Sequence, residues 1–167
     1  MNSILENKSF YTITFFVGLA LGILGTSLFR LTIVPVWIII LVICIATIVA
    51  FFIIKKKYLN TYKKSNILYP LGQSLVSFGI MASFCFMALN YYLADKNTET
   101  KSFKILHKHS IGTDPSQPAL EINYNGASKQ LVFQVWQQAK IDNFKFVTLE
   151  IKKGFLGYDV ISNIRLN

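Results

Sequence analysis

The residues with reactive side chains are few and far apart. His107 and His109 stand two apart, the spacing that puts both imidazoles on one face of a strand. A metal centre needs a third or fourth ligand at a recognisable spacing, and none accompanies them. The carboxylates Asp95, Glu99, Asp114, Glu121, Asp142, Glu150 and Asp159 are scattered among lysines, as on a solvated surface. Cys44 and Cys85 lie inside hydrophobic runs and supply neither a disulfide framework nor a thiolate metal site. No serine nucleophile elbow, zinc-binding helix, P-loop or dinucleotide fingerprint occurs. The expectation is a protein with no enzymatic activity, no cofactor and no metal.

The elements that carry these residues are set by hydrophobicity. Of 167 residues, 53% are hydrophobic and 15% charged, and the mean hydropathy is +0.45, which excludes a disordered chain and argues against an ordinary soluble domain. The apolar excess falls in residues 1–93. Residues 33–54 contain one clearly polar side chain, Thr47, and at about 1.5 Å per residue they are long enough to cross a hydrocarbon core of about 30 Å. Residues 11–29 and 68–93 read as two further spans. Pro35 sits in the first turn of the central span, where a missing N–H costs little, and Trp37 suits the interface. Tyr11, Tyr58, Tyr62, Tyr69, Tyr91 and Tyr92 mark span ends in the manner of an aromatic belt. Glu6 and Lys8 before the first span, with no small-residue cleavage pattern after it, predict an uncleaved anchor.

The net charge of +9 does not point to nucleic acid, because its placement is that of a topology signal. Lys55, Lys56, Lys57, Lys63 and Lys64 cluster between the second and third spans, opposed by Arg30 alone in the other loop. They predict a cytoplasmic connector facing lipid headgroups, a cytoplasmic N-terminus and an extracytoplasmic tail. No Asp, Glu, Lys, Arg or His lies within the hydrophobic runs, which argues against ion-coupled transport. Gly18, Gly22 and Thr26 repeat every four residues and predict a face for close helix approach, with Gly72, Gly79 and Ser83 a looser version in the third span. Packing within the three-helix unit or a dimer seam would use the same pattern. Gln73, Ser74, Ser77 and Asn90 read as interhelical hydrogen-bonding groups.

Residues 94–101 turn abruptly polar and read as a tether. From 102 to 167 the pattern becomes period-two alternation, which predicts a small, mostly antiparallel five-stranded β domain. Its strands are marked by Phe103, Ile105 and His107, by Leu120, Ile122 and Tyr124, by Leu131, Phe133 and Val135, by Val147, Leu149 and Ile151, and by Tyr158, Val160, Ile164 and Leu166. Asn125 and Gly126 supply a hairpin turn. A domain this small without a disulfide has little stability margin and open edges, so support from the bilayer or another chain is expected. Trp136, Phe155 and Leu156 are candidate partner contacts, although such residues more often cap a sheet end.

Three spans followed by a strand-rich tail with Lys153-Gly154-Phe155-Leu156-Gly157-Tyr158-Asp159 resemble small uncharacterised bacterial membrane proteins with a C-terminal β domain, a resemblance that implies no activity. It implies a multi-pass protein of the bacterial cytoplasmic membrane. At the level of architecture the layout is also similar to membrane effectors of cyclic-nucleotide immune signalling. The expected function is that of a non-enzymatic membrane interaction protein, an accessory subunit whose partners are lipids and either another protein or a second copy of itself. The alternative is a sensor-effector with a cytoplasmic ligand-binding β domain that drives oligomerisation of the spans.

Overall fold

The structure, a computed structural model, describes residues 7–63, 66–111, 117–133, 141 and 144–166. Three long apolar helices are followed by a five-stranded antiparallel, curled sheet. The helices are α1 (Lys8–Leu31), α2 (Val36–Tyr62) and α3 (Leu68–Tyr92), each long and apolar enough to cross a membrane. The strands are β1 (Thr98–Ile111), β2 (Gln117–Tyr124), β3 (Ala127–Val132), β4 (Phe146–Lys153) and β5 (Asp159–Leu166). The chain divides into two compact units, Met1–Phe29 with Val34–Leu89, and Arg30–Ile33 with Asn90–Asn167.

In the helical unit the apolar runs become helices because lipid leaves no other partner for the backbone. Pro35 precedes α2, and its carbonyl accepts from the Ile38 amide at 3.0 Å. Beyond the expected end at residue 54, α2 continues to Tyr62, so Lys55, Lys56 and Lys57 lie on the helix. It stops at Lys63, whose left-handed φ of 51° closes the last turn. Asn66 starts α3 by accepting the Leu68 amide on Oδ1 at 2.9 Å. Phe16, Ile23, Phe52 and Ile53 are among the many large apolar side chains left exposed, as a lipid-facing surface requires. Tyr11 departs from the belt pattern. It is fully buried, edge-on to Tyr58 at 4.9 Å between ring centroids.

Residues Leu75–Gly79 form a π turn within α3. A π turn inserts an extra residue and re-aims neighbouring carbonyls. It falls where α3 meets both other helices. Gly18 of α1 faces the Val76 carbonyl and Gly79 faces Thr47 and Ile43 of α2, both so closely that a Cβ would collide.

In the β unit the strand order is β3-β2-β1-β4-β5, and every neighbouring pair is antiparallel. The long β1 joins the two halves: Thr98–Lys104 pairs with β4, and Ile105–Ile111 with β2. The register shifts between Ile105 and His107, where the strand passes from one half to the other. Because β1 begins at Thr98, it reaches back into the stretch whose composition reads as a tether. Residues 98–102 are exposed and polar, so they carry no apolar alternation to betray a strand. Leu120, Ile122, Tyr124, Leu131, Ile141, Val147, Leu149, Ile151 and Ile161 form the core, with Ile33 packed against it. The hairpin at Asn125 and Gly126 forms as expected, with φ of 51° and 86°.

The connector between α1 and α2 belongs to this unit. Thr32 bridges to Val160 of β5, and the Ile33 amide donates to the Asp159 carbonyl at 2.8 Å. From the opposite edge, Lys129 of β3 donates its ammonium to the Thr32 carbonyl at 2.7 Å. Thr32, fully buried, thus touches both edge strands of the curled sheet. The neighbour that a small sheet needs is partly supplied by the chain's own connector.

Candidate functional site

The residues expected to matter distribute over four places, beginning with the helix contact. Gly18 is buried against the Val76 carbonyl, and a Cβ on Gly22 would lie 3.0 Å from Ile80 Cγ2. Thr26 does not continue this face. It is exposed and spends its hydroxyl on the Ile23 carbonyl at 2.7 Å. Gly25 is buried instead, with its Cβ position 3.3 Å from Met87 Cε. The face therefore runs 18, 22, 25, alternating steps of four and three as a helix of 3.6 residues per turn demands. It is occupied by α3 of the same chain. Gly79 packs on α2, and Ser83 bonds the Ile80 carbonyl at 2.8 Å.

The second place is polar and lies beside the π turn. Gln73 donates from Nε2 to the Tyr11 carbonyl at 2.8 Å and to Ser77 Oγ at 2.7 Å. Ser74 returns its hydroxyl to the Pro70 carbonyl at 2.8 Å. Buried amide and hydroxyl groups in a helix bundle need such partners. Thr47 Oγ1, wedged against Gly79, is buried with no hydrogen-bond partner among the described residues.

The third place is the turn between β4 and β5. Asn90, in the last turn of α3, is fully buried and serves it with three groups. Its Nδ2 donates to the Tyr158 carbonyl at 3.0 Å, its Oδ1 accepts the Leu156 amide at 3.0 Å, and its own carbonyl accepts the Phe155 amide at 3.3 Å. A Cβ on Gly154 would strike both Asn90 and the Tyr158 carbonyl, so glycine is required there. Gly157 takes a φ of 87° and donates to the Gly154 carbonyl at 2.9 Å. Held this way, Phe155 is 63% exposed and Leu156 37%, so neither caps the sheet end. The sequence reading of Asn90 as a group that bonds between helices does not hold: its side chain bonds the backbone of the β4–β5 turn, whose residues lie far along the chain.

The fourth place is the surface of the β unit. His107 and His109 are exposed, and His109 is hydrogen-bonded to Gln130. Among the described residues no three His, Cys, Asp or Glu side chains gather as a metal site would require. Tyr124 donates its hydroxyl to Asp159 Oδ2 at 2.6 Å. Burial and this carboxylate raise the phenol's pKa well above its ordinary value. Burial also lowers the Lys129 ammonium, to about 8. On the outer sheet face Thr100, Ser102 and Lys104 stand opposite Glu150, Thr148 and Phe146. Glu150 there pairs with Arg165, and Ser102 bonds Thr148 at 2.8 Å. Phe146 is an apolar member of this polar ladder and is 49% exposed.

Of the lysines clustered between the second and third spans, Lys55 lies 5.5 Å from the Phe51 ring centroid, and Lys56 and Lys63 are exposed. Lys64 and Trp136 lie outside the described residues. Compared with known proteins, the chain matches no family model, no curated protein and no solved structure.

Proposed function

We propose that the chain is a non-enzymatic integral membrane interaction protein: a three-helix anchor that presents its β unit outside the cytoplasm to a protein partner, as an accessory subunit of a larger envelope assembly. The observation that carries this reading is Phe146, half exposed in an otherwise polar ladder and directly across from Lys104. Leu106, at the β1 register shift, is 48% exposed. An aromatic and an aliphatic side chain beside charged and hydroxyl groups match the usual make-up of an interface centre with a polar rim. The orientation is supported by Lys55, Lys56, Lys57, Lys63 and Lys64, which outweigh Arg30 across the membrane. The cytoplasmic bacterial membrane is the compartment in which that charge rule applies most directly.

Two measurements test the proposal. A reporter active only after export and one fluorescent only in the cytoplasm, each fused after Asn167, should give signal from the first alone. A photo-crosslinking residue at Phe146 should then trap one partner of defined mass in native membranes, whereas the same probe at Thr100 traps none. Signal from the cytoplasmic reporter would overturn this reading in favour of a sensor-effector with a cytoplasmic ligand-binding β unit.

A further inference from the structure

We infer that the β4–β5 turn is a lipid anchor, with Phe155 and Leu156 inserted at the headgroup boundary of the leaflet from which α3 emerges. At about 1.5 Å per residue, α3 is about 37 Å long against a hydrocarbon core of about 30 Å, which puts its last turn at the interface. Asn90 belongs to that last turn. Its carbonyl and side chain hold the amides of Phe155 and Leu156 at 3.3 and 3.0 Å, so the tip of the turn shares the depth of the helix end. The chain around Asn90 already has an interfacial composition: Tyr91 and Tyr92 stack edge to face at 5.1 Å, and Tyr92 and Leu93 are 72% and 54% exposed. A phenylalanine 63% exposed in water at this depth would be costly, and in the interface it is favoured. The turn is also built to resist collapse. Gly154, Gly157 and the three Asn90 bonds hold the backbone in place and keep the Phe155 ring outward.

The occupant is therefore lipid, and the turn is distinct from the surface around Phe146. The inference rests on α3 crossing the membrane. Its test uses full-length protein with Cys44→Ala and Cys85→Ala, carrying a nitroxide on Phe155→Cys, Thr100→Cys or Ile45→Cys, the last an exposed position near the middle of the second span. The protein is placed in vesicles of phosphatidylcholine and phosphatidylglycerol. The ratio of oxygen to nickel-chelate collision rates should be several-fold higher at 155 than at 100, and lower than at 45. A ratio at 155 equal to that at 100 would place the tip in water, and shielding from both reagents would mean protein covers it. Either result overturns the anchor while the probe at 45 still reports lipid. A water-like ratio at 45 as well would instead overturn the spanning reading on which the anchor depends.

Discussion

The backbone amide of Ile33, between the first two helices, donates to the carbonyl of Asp159 at the start of the last strand. Together with the Thr32–Val160 bridge, it gives β5 a partner along part of its outer edge. Ile33→Ala keeps the amide and removes the side chain that packs on the sheet core. It should lower the stability of the β unit by about 1–3 kcal/mol, read from the urea midpoint of the full-length protein in detergent. The same change at Leu106, on the outer face, should leave the midpoint within about 0.5 kcal/mol.

Gly18 and Gly22 should differ although both lie on the small-residue face. At Gly18 a methyl meets backbone at clashing distance, the Val76 carbonyl in the π turn, whereas at Gly22 it meets a side-chain methyl, Cγ2 of Ile80, at 3.0 Å. Gly18→Ala should destabilise the helical unit by about 1–3 kcal/mol, and Gly22→Ala by less. Thermal unfolding in micelles would rank them. Thr26→Leu, on an exposed position, should be neutral.

Asn90→Ala should free one amide selectively. The Leu156 N–H loses the Oδ1 acceptor, while the Phe155 N–H keeps the backbone carbonyl of residue 90. Hydrogen exchange at Leu156 should accelerate far more than at Phe155, with a stability loss of about 1–3 kcal/mol from the buried groups left unpaired.

Lys129 makes the β unit sensitive to pH. Its folded pKa of about 8 lies below the unfolded value of 10.5, so between these limits the unfolded chain binds more protons and stability rises with pH. From pH 7.5 to 9.5 the urea midpoint of the wild type should therefore climb relative to that of Lys129→Met. Parallel curves would show that this ammonium is not desolvated.

The spans and the five strands were legible because each depends on a local pattern. Continuous hydrophobicity around Thr47 and alternation through Val147, Leu149 and Ile151 report burial directly. The end of α2 was not legible. Residues 55–62 leave the apolar run yet remain helical, and hydrophobicity is silent about helix outside lipid. In β5 the alternation through Val160 and Ile164 skips Ile161, a core residue, because Ser162 is bulged out between the partners of Glu150 and Ile151. Asn90 and Thr32 were hidden for a different reason. Each serves residues far along the chain, and one sequence carries no trace of that pairing.

The Ile33–Asp159 bond also imposes an order on synthesis. The connector leaves the ribosome soon after α1, but its hydrogen-bond partner is made only after all three helices and four strands. Until then the two early helices can insert while the loop joining them lacks its backbone partners on β5 and can meet only the earlier strands, through Lys129 of β3. A product cut short before β5 would therefore carry both early helices and the Lys129 contact but neither of the backbone contacts that fasten the connector to the last strand.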